Sequence, residues 1–300
     1  MVVQRRLVEC VPNISEGRRP EVIDSVVDAV RRTAGVRLLN VQSDASHNRT
    51  VITFAGDPEA CGRAAVALAR RAVELIDMRR HAGEHPRLGA VDVIPFVPVS
   101  GTTMEECVAL ARRVGADIWE AVRLPVYFYA EAAASPARVR LPDIRKGEFE
   151  GLAEKMAQSE WAPDVGNPAP HESAGAVVVG ARRPLVAYNI NLTTTDVSVA
   201  RAIARTIRES SGGLPAVQAM GVLATTGQAQ VSINLLNLTT TPIARVFDAV
   251  RAEAGRHGAA VAESEVVGLV PLDAVLDVVR AALHLRGFER TQVLEALLME

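Results

Sequence analysis

Apolar positions along the first half of the chain follow two rhythms in turn. Residues 7–11 read as a short strand that stops at Pro12 and Asn13. Pro20 then opens a stretch in which Val22, Ile23, Val26, Val27 and Val30 share one helical face, ended by Gly35. Residues 36–41 and 50–54 predict two strands, joined by the polar loop 43–49. An alanine-rich helix over 59–76 and a strand over 90–97 complete a β-α-β-β-α-β order. The second half repeats it. A strand over 185–192 leads to a helix capped at Asp196, running to about 209 and broken at Gly212 and Gly213. Strands over 216–223 and 230–236 are joined across Thr225, Thr226 and Gly227, and a helix from Pro242 to about 257 precedes a strand over 261–269.

Two such units predict an α/β (α+β) protein: two ferredoxin-like β-α-β-β-α-β sandwiches, with mainly antiparallel sheets and helices on one face. The expected domains are residues 1–178 and 179–300. A helix over 104–121 and a strand over 125–129 extend the first. Residues 135–175 then have little periodicity, are rich in Pro, Gly, Arg and Glu, and carry Phe149 and Trp161. A stretch this long without elements is uncommon in a compact domain, and its composition predicts an ordered cover over a cleft between the units.

Composition narrows the chemistry. The chain is 49% hydrophobic and 23% charged with net charge −2, enough apolar residues for a core and too little positive charge for a broad nucleic-acid-binding face. No apolar run approaches the length of a membrane span, and residues 1–7 lack the apolar core of a secretion signal, so a cytoplasmic location is expected. Cys10, Cys61 and Cys107 are widely spaced in apolar stretches and read as buried, inert thiols. Lys146 and Lys155 are the only lysines, and neither suits a Schiff-base mechanism. Nucleotide-phosphate loops and the Gly-x-Ser-x-Gly elbow are absent.

Ionisable groups crowd into residues 77–92, between a helix and a strand, where Gly83, Pro86 and Gly89 frame His81, Glu84, His85 and Arg87. Histidine exchanges protons near neutral pH, so this loop is a candidate acid/base site; a solvated, hydrogen-bonded loop is the alternative. Zinc is a weaker reading, because Gly83 and Pro86 interrupt the helix that a His-x-x-x-His pair needs. The loop Asp44, Ser46, His47, Asn48, Arg49 is equally polar, and Arg49 has the fork to hold a carboxylate, although an Asx- and Ser-rich turn is as good an account. Asn189, Asn191, Asn234 and Asn237 either line a polar cavity or satisfy local backbone.

The runs 8–17, 46–50, 75–90 (with Gly83, Glu84, His85, Pro86, Arg87 as its most specific part), 161–164 and 180–192 closely resemble glutamate formiminotransferases, the family that also forms the N-terminal part of formiminotransferase-cyclodeaminases. The resemblance covers about residues 7–275. It implies transfer of the formimino group from N-formimino-L-glutamate to N5 of tetrahydrofolate, as co-substrate, in histidine breakdown. It implies His85 as the catalytic histidine, a chain of two similar α/β subdomains, and a homodimer of such chains. Its folate-contacting segments fall on 166–175 and 212–221, here Gly166, Asn167, Pro168, Gly175, Gly212 and Gly221. No metal is implied, and a cyclodeaminase would be a separate partner. Animal members carry an acidic residue where Gln42 stands here. Asp44, two residues on, is the expected replacement as acidic partner of His85, with Arg49 beside it.

Both substrates end in glutamate carboxylates, so a locally cationic site is expected: Arg87, Arg49 and Arg182, then Arg145 and Lys146. Two other readings stand beside this one. The same scaffold suits formyl transfer between N-formylglutamate and tetrahydrofolate, and it also suits a non-catalytic folate-binding module.

Overall fold

The computed structural model describes residues 5–224 and 226–299. Residues 1–4, part of the stretch read above as lacking a secretion signal, and Thr225, in the turn read between two strands, lie outside the described residues. The chain divides into two compact units, one running through Arg182 and the other from Arg183 onward. It is a mixed α/β protein with a seven-stranded sheet in the first unit and a four-stranded antiparallel sheet in the second.

The first unit begins with β1 (Leu7–Cys10) and β2 (Asn13–Ile14), which act as one strand interrupted near Pro12: both pair antiparallel with β4 (Arg49–Gly56) and β5 (Val91–Ser100). Helix α1 (Pro20–Arg31) starts on a proline, whose missing N–H costs nothing in a first turn, and buries Val22, Ile23, Val26, Val27 and Val30. Strand β3 (Val36–Asp44) pairs with β4. Helix α2 (Pro58–Leu75) is capped by the Asp57 side chain, and α3 (Met104–Val122) by a reciprocal Thr103–Glu106 capping box. Strand β6 (Val126–Ala130) pairs parallel with β7 (Val177–Ala181), which in turn pairs parallel with β5. The sequence reading overlooked β2 and β7. The parallel pairs make this sheet mixed.

Side-chain alternation across β5, β6 and β7 gives the sheet two buried faces. Ile94, Phe96, Val126, Phe128, Val177 and Val179 join α1, α2 and α3 in one core. Val93, Tyr127, Tyr129 and Val178 point the other way, into a second cluster with Ile144, Leu152 and Met156. Those three come from the segment expected to be irregular. It contains α4 (Leu141–Arg145) and α5 (Leu152–Met156), with 3-10 turns at 136–138 and 159–161. Burying each such side chain contributes roughly 1.5–3 kcal/mol, so the segment is a second layer on the first sheet. The first unit therefore has helices on both faces. The expectation of helices on one face alone is corrected here, and the cover rests on this unit's own sheet.

Three further contacts fix this layer. Buried Arg138 pairs with Asp164, whose other oxygen accepts from the Phe128 N–H at 2.7 Å. The Tyr127 hydroxyl donates to the Trp161 carbonyl at 2.6 Å. Lys155 Nζ donates to the carbonyls of Asp143, Ile144 and Lys146 and lies 3.9 Å from the Trp161 ring centroid. Burial and the charge of Lys146 push the Lys155 pKa down to about 8.

The second unit comprises β8 (Val186–Leu192), α6 (Val197–Ile207), β9 (Val217–Leu223), β10 (Ala229–Leu235), α7 (Ile243–Arg256) and β11 (Val261–Val267), in sheet order β11-β8-β10-β9. With β1 and β2 counted as one strand, β3-β4-β1/β2-β5 in the first unit follows the same plan in reverse listing. Tyr188, Ile190, Val231 and Ile233 bury one sheet face against α6 and α7. Two later helices, α8 (Leu272–Leu283) and α9 (Leu294–Met299), lie beyond the repeat.

Candidate active site

Two polar loops that are about 35 residues apart in sequence meet at the end of the first sheet. Asn48, in the β3–β4 turn, is buried in a left-handed conformation (φ 48°), which asparagine tolerates better than most residues. Its Oδ1 accepts from the Gly17 N–H at 2.9 Å and its Nδ2 donates to the Ala82 carbonyl at 3.0 Å. Its own carbonyl lies 3.0 Å from His81 Nε2, and the Glu84 N–H donates to the Ser46 carbonyl at 3.3 Å. Gly83 is required for this approach: a Cβ there would stand 2.4 Å from the His47 carbonyl oxygen. The two candidate clusters thus form one site, and Asn48 is the pin between them.

His85 sits at its centre. Arg49 Nη1 lies 2.9 Å from His85 Nε2 and also donates to Asn13 Oδ1 at 3.3 Å. A guanidinium only donates, so Nε2 is the acceptor and the ring proton is assigned to Nδ1. Burial, and then the charges of Arg49, Arg145, His47 and His81, push the His85 pKa down to about 2. The imidazole is neutral at ordinary pH. Burial and the charge of Arg145 in turn lower the pKa of Arg49.

The acidic partner expected for His85 is engaged elsewhere. Asp44 Oδ1 accepts from the His47 N–H at 2.8 Å, and Oδ2 lies 2.9 Å from His47 Nδ1. Burial raises the Asp44 pKa, but the hydrogen bonds from His47 outweigh it and the net shift is downward. The His47 and His85 rings stand edge to face at 6.3 Å. Asp44 faces Arg49 across the β3–β4 ladder, so register brings it near without contact to His85 being its bond.

The expected cationic residues divide sharply. Arg87 is buried and uses all five of its N–H donors. Nη1 reaches Glu148 at 2.6 Å and Glu150 at 2.8 Å, Nη2 reaches Glu150 at 2.6 Å and the His81 carbonyl at 3.4 Å, and Nε reaches His81 Nδ1 at 3.2 Å. It clasps the helical cover to the histidine loop. Arg145, on α4, pairs with buried Asp92 on β5, and Asp92 Oδ1 accepts from the Leu88 N–H at 2.8 Å. Arg182 hydrogen-bonds Tyr129 and lies in the field of Glu9, whose pKa burial raises. Lys146 is exposed. Among the described residues no three His, Cys, Asp or Glu side chains converge as metal ligands.

The N-terminal subdomain model of the formiminotransferase domain matches residues 7–182, and the model of the formiminotransferase domain matches residues 187–295. The chain is 44% identical over 292 residues to a glutamate formimidoyltransferase of Streptococcus pyogenes serotype M1, covering 97% of this chain and 98% of that protein. It is 46% identical over 292 residues to a glutamate formimidoyltransferase of Thermoplasma acidophilum, covering 96% of each. It is 50% identical over 279 residues to a formimidoyltransferase-cyclodeaminase of Sus scrofa, covering 91% of this chain and 51% of that protein. The chain belongs to the formiminotransferase family.

The glycine segments that the formiminotransferase resemblance assigns to folate have clear structural duties. Gly175, at φ 72°, pairs with His171 and bridges to Gly89; a Cβ there would stand 2.1 Å from the Leu88 carbonyl oxygen. The 166–175 segment is thereby held beside the histidine loop. Gly166 rests on the Trp119 ring, while Asn167 and Pro168 form an exposed turn. In the second unit, Gly212 closes a 3-10 turn at φ 84° and Gly221 lets β9 approach the α6 backbone at Arg201. Asn189 and Asn191 donate to Glu265 and Glu263, both at 3.0 Å, and Gln230 donates to Asn191 at 2.9 Å. These amides form a cross-strand ladder. Asn237 instead accepts from the backbone N–H of Thr239 and Thr240.

Two residues inside the candidate clusters have a role that the sequence alone does not assign. Asn48 was one polar residue among several in its loop. Asp92 carried a signal that was passed over: a carboxylate within an apolar strand must find a donor when buried, and the strand 90–97 was recognised. Arg145 is that donor.

Proposed function

We propose that this protein is a glutamate formimidoyltransferase, moving the formimino group of N-formimino-L-glutamate to N5 of tetrahydrofolate and releasing 5-formiminotetrahydrofolate and glutamate. The observation that carries the reading is a neutral imidazole whose Nε2 lone pair faces a guanidinium at 2.9 Å. The neutral N5 amine attacks the formimino carbon and forms a tetrahedral intermediate. His85 Nε2 accepts the N5 proton and returns one to the glutamate nitrogen, so that this poor leaving group departs as an amine. Proton transfer of this kind contributes roughly 10²–10⁴ in rate, and orienting the two substrates contributes up to roughly 7–11 kcal/mol. Asp44 is held by His47, whose ring stands edge to face with that of His85 at 6.3 Å, so the acidic partner expected for His85 is spent on its neighbour.

Membership of a family in which this activity is named over nearly the full length of two relatives supports the substrate pair. Tetrahydrofolate is co-substrate, and the expected setting is histidine breakdown in the cytoplasm. The chain spans about half the length of the fused relatives, whose name joins a cyclodeaminase to the formimidoyltransferase, and a cyclodeaminase is the proposed partner. A homodimer is favoured by Met220 and Leu223, both about three-fifths exposed on the edge strand β9. The reading is tested by incubating the protein with tetrahydrofolate and either N-formiminoglutamate or N-formylglutamate. Rapid transfer from the formimino donor is expected. Preference for the formyl donor, or folate binding without transfer from either, overturns it.

A further inference from the structure

The helical cover delivers a second guanidinium to the neighbourhood of His85. Arg145 is the last residue of α4, and Lys155 fixes the backbone on both sides of it through the carbonyls of Asp143, Ile144 and Lys146. Arg145 pairs with Asp92, which also accepts from Leu88, three residues after His85. Arg49, at the start of β4, bonds His85 itself. Each of the two arginines keeps a buried Nε–H with no hydrogen-bond partner. Buried donors without acceptors are rare. Two of them within one cluster of like charge mark a place for an anion.

Substrate chemistry says which anion fits, taking the proposed reaction as given. In N-formiminoglutamate the α-carboxylate and the nitrogen bearing the formimino carbon share one carbon atom. A side chain that reaches the reacting carbon therefore has the α-carboxylate within a few bonds. The glutamate carboxylates of folate are separated from N5 by the whole aminobenzoyl ring and lie too far away. We propose that Arg145 and Arg49 together receive the α-carboxylate of the formimino donor, and that this anion frees His85 from Arg49 so that its Nε2 can accept the N5 proton. The groups facing His85 are Arg49, Arg145, His47 and His81. The nearby carboxylates Asp44 and Asp92 are already paired, with His47 and Arg145 respectively. Only an incoming anion changes that balance, so His85 becomes a base when the donor is seated. Arg145 is a binding residue for the donor and a positioning residue for the imidazole.

Two variants test this, because removing Arg145 alone leaves the buried Asp92 charge unpaired. The first is Arg145→Met combined with Asp92→Asn; the second is Arg145→Lys, which keeps the ion pair but loses the planar fork. In both, KM for N-formiminoglutamate should rise about tenfold or more while KM for tetrahydrofolate stays within about twofold. Independently of turnover, the His85 ring nitrogens are followed by NMR while L-glutamate or 4-aminobutyrate, which lacks the α-carboxylate, is added. Glutamate should raise the pH at which wild-type His85 titrates, and 4-aminobutyrate should not. In Arg145→Met/Asp92→Asn the two ligands should act alike. An unchanged donor KM in both variants, or a wild-type His85 indifferent to glutamate, overturns the proposal. A wild type that transfers nothing from N-formiminoglutamate, yet shows the glutamate-specific shift, instead removes the assigned reaction and leaves the carboxylate site standing.

Discussion

The two units arrange their first four strands alike and treat the sheet face away from the main helices in opposite ways. In the second unit that face carries a ladder of neutral amides and glutamates: Asn189 donates to Glu265, Asn191 to Glu263 and Gln230 to Asn191. These are contacts between neighbouring strands that any antiparallel sheet provides. In the first unit the matching face carries Glu9, Asn13 and Arg49, and it receives three additions: the β3–β4 turn, the 77–90 loop and the helical cover. Those additions bring Arg49, Arg145, His81 and His85 into one partly buried cluster. A shared strand plan therefore says little about chemistry. The difference lies in inserted segments and in the buried charges that those segments bring to the sheet.

That contrast can be broken most severely at His85. His85→Ala should lower kcat by roughly 10²–10⁴ while leaving the melting temperature close to wild type, as read by steady-state turnover and circular dichroism. Next in size is the clasp. Removing both acidic partners, Glu148→Ala with Glu150→Ala, leaves buried Arg87 without a counter-charge and should cost about 3–5 kcal/mol in urea denaturation. Arg87→Met should cost less, because the two glutamates it abandons are 41% and 63% exposed and return to water. A larger loss from Arg87→Met than from the double variant would contradict the clasp.

Acidification gives a smaller and graded effect. His85 titrates near 6.5 when unfolded and near 2 when folded, so between those values the unfolded chain binds more protons. Its contribution to stability is complete above pH 6.5 and is lost as pH falls. Between pH 6.5 and 5 the loss from this residue should approach, but not exceed, about 1.4 kcal/mol per pH unit. His85→Gln should flatten the dependence by that amount in urea denaturation; an unchanged slope would show that His85 titrates normally. The smallest change belongs to the second unit. Asn189→Ala breaks one exposed ladder contact and should shift stability by no more than about 0.5 kcal/mol.

Much of this contrast is visible in the sequence, and the remainder has a physical reason for being hidden. The repeated strand-and-helix order is written in local periodicity, as in the Val22 to Val30 stripe of α1. The parallel insertion of β7 between β5 and β6 is a tertiary choice with no local mark, and its five residues look like an apolar patch in a loop. His85 stands out because glycine, proline and ionisable residues crowd around it, and Arg49 because its guanidinium sits in a polar loop between two strands. What each charge does was not legible, since Arg87 meets partners 61 and 63 residues away and Arg145 meets one 53 residues away. Asp44 was placed near the right ring system by register, but a turn of three residues gave its carboxylate to His47 first.

The central claim is that His85 is an uncharged acceptor with its proton on Nδ1, held so by Arg49. Nitrogen-15 NMR of the His85 ring in the ligand-free protein, between pH 8 and 5, tests this directly. The account predicts the neutral Nδ1–H tautomer throughout, with no titration in that range. A ring that takes up a proton near pH 6.5, or that carries its neutral-form proton on Nε2, would contradict it.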